Sequence, residues 1–549
     1  MALYDRPGLR LKYTLGTAGG RAMTTAQLRT FAVAGTSIWE LFGDGSKIQR
    51  SAALINDGTT VSICNGQTQI LLVSAGHAYV YDLGTNLLTE VTASITTGTV
   101  LQVAYSDGFF LALAQETSTN KIYASGLQDA TSWNPVAFTG ISVFPDRAIG
   151  IFVDHRELWV FGPKAIQPYF DAGDFPFAFD AIQGGFIESG IAASFSVAKC
   201  DNSIMWLESD DRGNCIARRA NGYTPVRISN HAIEYEWSTY STVADAVAYS
   251  MKMFGHEFYI LTFPTAEKTW VFDTSTRSWC EWGFWNSTSG IFTRHRGQFH
   301  TFNFGMHLVL DPTTGAVYEQ RADEYTDFGN ELRRVRRAKH LTKEQNWTVF
   351  PPLQVDLETG LGPNPPLQGS ATPTSFYFKS PNNSVWQMEL DDFGLVLSTS
   401  GFNTTTPTSL IMSDPTALSS WQFGVDNLGN ITLTQVTYHS TYPAAIPMVT
   451  NSGNNNWVMT VQDLGGGTAT IITTFVSIVP RGPRLMLRYS NDNGRTFFER
   501  EPADCGQGGE YTKRVIWRRL GRARDRVYEL SASDPVPFRI AEAYMQDEQ

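Results

Sequence analysis

Ser106-Asp-Gly-Phe-Phe-Leu-Ala-Leu113, Asp154-His-Arg-Glu-Leu-Trp-Val-Phe161 and Asp201-Asn-Ser-Ile-Met-Trp-Leu207 are copies of one unit, a polar turn running into an apolar strand. Asp107 to Asp154 is 47 residues, and Asp154 to Asp201 is 47 again. The same unit stands at 34–41, 74–81, 255–261 and 296–302, with 41 residues from Phe258 to Phe299. Recurrence at ~40–50 residues is the sequence mark of propeller blades, small sheets that need neighbours to cover their apolar faces. A second unit supports it. Val80-Tyr-Asp-Leu-Gly-Thr, Val271-Phe-Asp-Thr-Ser-Thr-Arg-Ser-Trp279 and Val309-Leu-Asp-Pro-Thr-Thr-Gly-Ala-Val317 each carry an apolar strand into an Asp-led turn. Asp82, Asp273 and Asp311 read as turn residues, because a short carboxylate accepts the N–H groups of its own turn. No long stretch places apolar residues at i, i+3, i+4 and i+7, so a helical fold is excluded.

Composition agrees. Aromatic residues are 13% of 549, charged residues only 17%, and 47 Gly and 25 Pro are spread along the chain. That profile fits short strands joined by turns, in more than one domain. The net charge of −11 argues against a general nucleic-acid-coating role, which needs a basic surface. The five cysteines, at 64, 200, 215, 280 and 505, have neither Cys-x-x-Cys nor metal-ligand spacing with His. They read as reduced thiols in protein cores. The N-terminus lacks the apolar core of a signal peptide, and no run approaches the ~18 apolar residues of a membrane span. We therefore expect neither secretion nor a membrane span. No phosphate loop, Gly-x-Ser-x-Gly or His-Glu-x-x-His is present, so no catalytic residues, cofactor or metal site are expected.

Two basic runs stand out. Arg333, Arg334, Arg336 and Arg337 lie in one octapeptide, and Lys513, Arg514, Arg518, Arg519, Arg522, Arg524 and Arg526 interleave with Val515, Trp517 and Leu520. The interleaving makes several project from one strand face. Each run is read either as a phosphate contact on a DNA-channel wall or as a solvated face or subunit contact. Between them lies a block bounded by Pro363-Asn-Pro-Pro and Pro480-Arg-Gly-Pro483. It repeats a Trp-led alternating strand that runs into a hairpin, at Trp386, Trp421 and Trp457, spaced by 35 and 36 residues. Pro-rich edges mark a domain boundary, so 363–481 reads as a small sandwich- or barrel-like β domain inserted into the propeller.

After the insertion comes Arg484-Leu-Met-Leu-Arg-Tyr-Ser-Asn-Asp-Asn-Gly-Arg-Thr-Phe497. Leu485, Leu487 and Tyr489 alternate with polar residues, then Ser490-Asn-Asp492-Asn-Gly494 makes a turn and Thr496-Phe497 returns. Ser490, Asp492, Gly494, Thr496 and Phe497 resemble an Asp box, a structural hairpin of propeller blades. The segment as a whole resembles the C-terminal part of the packaged-DNA stabilisation proteins of short-tailed phages. Pro145-Asp-Arg, Glu157-Leu-Trp-Val-Phe-Gly162, Asp171-Ala-Gly-Asp-Phe-Pro-Phe177, Gly184-Gly-Phe-Ile-Glu-Ser-Gly190 and Arg227-Ile-Ser-Asn-His-Ala-Ile-Glu234 are similar to that family's core, in the family's order. The likeness covers roughly 30–361 and 482–541.

The resemblance implies an all-β virion protein of the tail, made in the host cytoplasm. An arm at 1–30 would precede a discontinuous propeller-like nozzle domain, 31–362 plus 482–549, whose C-terminal strands pack on the strand beginning at Leu353. The implied assembly is a homohexamer that continues the portal–adaptor channel, passes and retains packaged double-stranded DNA, and docks tail fibres, spikes or a needle. An acidic chain suits such a conduit, since like charge limits sticking of a polyanion. The alternative is a propeller glycosidase or glycan-binding protein of the Asp-box, sialidase-like type. Such enzymes carry several boxes, whereas one good box stands here, late in the chain.

Overall fold

The computed structural model describes residues 5–92, 99–116, 120–140, 147–209, 215–344, 346–350, 352–358, 483–506 and 509–545, and the backbone of nine strands between 375 and 478. The chain divides into two units, one of Asp5–Arg334 with Ser533–Pro537, the other of Val335–Ala532 with Phe538–Gln549.

Seven blades make up the first unit among the described residues. Six are meanders of four consecutive strands, at 20–51, 62–90, 99–139, 150–181, 198–227 and 247–281. The second strands are the apolar ones. Phe110–Ala114, Leu158–Phe161 and Ile204–Leu207 are almost wholly buried, because a mid-blade strand is covered by a neighbouring blade on each face. Asp107-Gly108, His155-Arg156 and Asp201-Asn202 are two-residue turns with positive φ at both positions, each joining the first and second strands of its blade. The equivalent turn positions, Asp107, His155 and Asp201, are 48 and 46 residues apart, so the repeated 47 of the sequence is the blade period read one residue off at Asp154. The spacing from Phe258 to Phe299 has another origin. Phe258 is in a second strand, His256–Phe263, and Phe299 opens a first strand, Phe299–Asn303. The first is a mid-blade strand buried over Tyr259–Phe263 and the second an edge strand, so the 41-residue spacing does not join equivalent positions.

The seventh blade closes the ring with both ends of the unit. Phe299–Asn303, Met306–Leu310 and Ala316–Arg321 form its first three strands, and its fourth is Gly8–Thr14. The pairing is antiparallel, from Gly8 opposite Arg321 to Thr14 opposite Ala316. Residues 8–14 are therefore a sheet strand and not an arm. Leu9 and Tyr13 are buried, Leu9 against Val309 and Tyr318. Arg6 anchors the entry to this strand on the carboxylate of Asp327, itself fully buried. Between the fifth and sixth blades a single helical turn pair, His231–Ser238, is started by Asn230, whose side chain accepts the Ile233 N–H at 3.1 Å. It buries Trp237.

In the second unit, one sheet runs in the order Arg334–Arg337, Asp525–Ala532, Arg484–Ser490, Phe498–Glu499. A second has Pro352–Leu357 between Val515–Arg518 and Ile540–Met545. Leu353, Val355, Val515 and Trp517 share a core with Leu485, Leu487 and Leu530. The expected pairing of the Leu353 strand with C-terminal strands is thus present, with Leu353 opposite Trp517 and Met545. It lies in a unit of its own, however, and not in a discontinuous propeller. The blades are complete without it, and the strands of 484–545 pair with 334–337, 341–342, 348–349 and 352–357 instead. The Trp repeat appears as three equivalent meanders, 375–402, 410–436 and 445–478, with Trp386, Trp421 and Trp457 each on the middle strand. Trp421 and Phe423 are buried. The Pro-rich junctions of the block lie outside the described residues.

Candidate functional site

The Asp-turn residues of the blades bind their own turns. Asp82 Oδ1 accepts the N–H groups of Gly84 and Thr85 at 3.0 and 2.7 Å, and Asp311 Oδ1 accepts Thr313 N–H at 2.7 Å. Among the described residues no cluster of His, Cys, Asp and Glu has the makings of a metal site. Burial pushes the Cys200 thiol up to about 12 and raises Cys64 further, which makes both poor nucleophiles.

The Asp-box hairpin is closed by a network around two side chains. Ser490 Oγ accepts N–H bonds from Asp492 and Gly494 and donates to Asp492 Oδ1 at 2.7 Å. Asp492 in turn accepts the Thr496 N–H at 2.8 Å and its hydroxyl at 2.7 Å. These donors, the Thr496 hydroxyl foremost, hold the Asp492 carboxyl well below the usual range. Asn493 and Gly494 take positive φ. Phe497 lies under the guanidiniums of Arg488 and Arg337, at 4.6 and 5.2 Å. All of this is structural, and the hairpin sits in the second unit, not on a blade. The sialidase-like alternative rested on an Asp box as a blade hairpin, and that premise does not hold.

The first basic run is taken up largely by internal contacts. Arg334 is buried, donates to the carbonyls of Asp534 and Val536 at 2.8 and 2.9 Å, and pairs with Asp5 at 3.3 Å. Burial lowers its pKa. Arg337 pairs with buried Glu529 at 2.7 Å, and Arg333 lies 4.3 Å over Trp285. Arg336 donates to its neighbour's carbonyl, Val335 O, at 3.2 Å. These four do not form one phosphate-binding face.

The second run divides. Arg526 is 1% exposed. It donates to Asn491 Oδ1 at 2.8 Å and to Leu520 O at 3.1 Å, with the rings of Tyr489 and Phe350 at 4.3 and 4.5 Å. It is a core residue that ties the hairpin to the sheet, which no alternation pattern announces, because an Arg among arginines reads as surface. Lys513 is held by Asp504 at 2.7 Å. Arg514, Arg518, Arg519, Arg522 and Arg524 are exposed. Among the described residues none of these five has a carboxylate within salt-bridge distance. Trp347, 59% exposed, lies under Arg522 and Arg524, at 5.2 and 5.3 Å. Trp347 drew no notice in the sequence, since its place beside the second run depends on a pairing across 170 residues.

A family model described as "Bacteriophage P22 Gp10, beta-propeller" matches residues 1–323, and one described as "Bacteriophage P22 Gp10, beta-sandwich" matches 454–548. The first covers the seven blades, including the N-terminal strand. The second begins inside the block expected as an insertion. No curated protein matches the sequence. Among solved structures, two of the extracellular domain of BT4673 from B. thetaiotaomicron align over 96% and 99% of this chain and 83% and 84% of theirs. Their identities are 8% and 9%, and their TM-scores 0.38 and 0.39. The Mitotic Checkpoint Complex aligns over 58% of this chain and 90% of that one, at 10% identity and a TM-score of 0.34. Likenesses at these scores carry neither fold nor function.

Proposed function

The chain belongs to the phage family of P22 Gp10, structural proteins of the tail nozzle, and we propose that it works as a homohexameric ring beneath the portal–adaptor complex. In this reading the ring continues the DNA channel, keeps the packaged genome from leaking, and docks fibres, spikes or a needle. It is made in the host cytoplasm and ends in the virion. The observation that carries the reading is the succession of the two family matches along one chain, a seven-bladed propeller followed by a β-sandwich. The block at 363–481 is our candidate for the nozzle tip or the fibre dock. Surface insertions of this kind can be exchanged without cutting a host core.

Light scattering on the purified chain, alone and with its adaptor, tests the assembly. A species of six subunit masses that co-elutes with the adaptor is expected. A chain that stays monomeric with adaptor present refutes the ring. Particles carrying a short Gly-Ser linker in place of 363–481 should assemble and then lack appendages or lose DNA. A normal infectious particle would remove the block from that role.

A further inference from the structure

The sandwich part of the second unit carries the opposite charge balance from the chain as a whole. Residues 335–358 and 483–545 hold 16 Lys and Arg against 12 Asp and Glu, in a chain of net charge −11. Three carboxylates of this part are tied to its own cations. Glu529 holds Arg337 and Arg488, Asp504 holds Lys513, and Glu358 holds Arg539. Of the exposed cations left without a carboxylate partner among the described residues, Arg518, Arg519, Arg522 and Arg524 lie on one short ladder and the turn next to it.

That ladder pairs Thr348–Val349 with Arg522–Ala523, Thr348 opposite Ala523 and Val349 opposite Arg522. One step further places Trp347 opposite Arg524. Alternation then puts Trp347, Val349, Arg522 and Arg524 on one face, while Ala523 is buried on the other. Trp347 and Val349 are 59% and 49% exposed. Arg518 and Arg519 stand just before this strand, across a turn in which Arg519 and Gly521 have positive φ and Gly521 O accepts the Phe350 N–H at 2.8 Å. Two exposed guanidiniums, Arg522 and Arg524, thus lie over one exposed indole, and two more, Arg518 and Arg519, precede them in the chain; none of the four has a carboxylate partner among the described residues.

We infer that this face is where the second unit touches the phosphodiester backbone of double-stranded DNA. The inference rests on the proposed role as a DNA conduit and adds the contact residues to it. Guanidiniums stacked on an aromatic ring keep their N–H edges for planar anions, and phosphate is the anion they fit in bidentate fashion. Arg522 and Arg524 are two residues apart on one strand, about 6.8 Å, so they can meet separate phosphates. Single-stranded nucleic acid needs an aromatic face on which bases stack. Here two cations already engage the indole, so a duplex backbone is the better match. Four arginines make a contact that is weak, independent of sequence and strongly salt-dependent, as a sliding surface requires.

The test is duplex binding by the full-length assembly across a salt series, read by fluorescence anisotropy with a labelled duplex of mixed sequence. Replacing Arg518, Arg519, Arg522 and Arg524 together by Ala should lower the slope of log K against log[salt] by about 3.6 for each subunit that touches the duplex, at 0.9 per phosphate contact. The corresponding Arg→Lys variant should keep most of that slope. Trp347→Phe should lose the fluorescence change that duplex DNA causes. An unchanged slope in the Ala variant, no duplex binding by the wild type at low salt, or tighter binding of single strands each overturns the assignment. The oligomer mass of the same samples is read in parallel. A normal ring with an unchanged slope refutes this face alone, whereas a failed ring refutes the conduit reading beneath it.

Discussion

Replacing Leu9 by Ala separates a sheet strand from an arm. Leu9 is 1% exposed and packs with Val309, Tyr318, Tyr249 and Trp282, whereas Leu11 on the same strand is 53% exposed. Truncating a fully buried Leu costs ~2–5 kcal/mol, from lost transfer free energy and the cavity left behind. Leu11→Ala, at the surface, should stay within ~0.5 kcal/mol. The loss should appear in the propeller, because Leu9 shares a core with residues of the sixth and seventh blades. Urea unfolding gives the size of the change. Since two units need not unfold together, hydrogen exchange locates it. Amides of Ala316–Arg321, which pair with residues 8–14, should lose protection in Leu9→Ala and keep it in Leu11→Ala. Equal behaviour of the two variants, or a Leu9→Ala change under ~0.5 kcal/mol, would refute ring closure by this strand.

Burial, with His307 beside one and Arg6 near the other, pushes His300 and His295 down to about 3. Below pH ~6.5 the unfolded chain binds protons that these rings refuse when folded, so propeller stability should fall by up to ~1.4 kcal/mol per pH unit for each group. His300→Gln should shed one proton's share of that slope between pH 6 and 5, and an unaltered slope would contradict the burial. At Gly494, φ is +84° and the nearest atom to an added Cβ is Phe497 Cζ at 4.0 Å, so only backbone strain opposes a side chain. Gly494→Ala should cost ~1–2 kcal/mol in thermal unfolding and Gly494→Asn less. Equal melting of wild type and Ala variant would exclude the left-handed turn. Glu529 is 1% exposed between Arg337 and Arg488. Glu529→Ala leaves two part-exposed guanidiniums and should destabilise the second unit by ~1–3 kcal/mol, and a loss below ~0.5 kcal/mol would show that the pair is not holding the sheet.

Local pattern was enough for the blades. The second strands are apolar on both faces and follow two-residue turns, so Phe110–Ala114, Leu158–Phe161 and Ile204–Leu207 announce themselves wherever the chain is read. The Asp turns and the 490–497 hairpin were legible for the same reason, since each is closed by side chains within four residues of one another. The tertiary structure decided everything that depends on distant partners. Gly8–Thr14 does alternate, with Leu9, Leu11 and Tyr13 between Arg10, Lys12 and Thr14, but its place as the last strand of a blade depends on Ala316–Arg321, some 300 residues away. Residues 484–545 form a sandwich with 335–358 because Leu485, Leu487, Val515, Trp517 and Leu530 share one core with Leu353 and Val355. Arg526 is interior and Arg522 and Arg524 exterior, in one run of like residues, because Tyr489 and Phe350 enclose the first while the 348–523 register turns the other two outward beside Trp347. A sequence displays its periodicity and its turn chemistry directly, but the pairing of edges is settled only when the strands compete for partners in three dimensions.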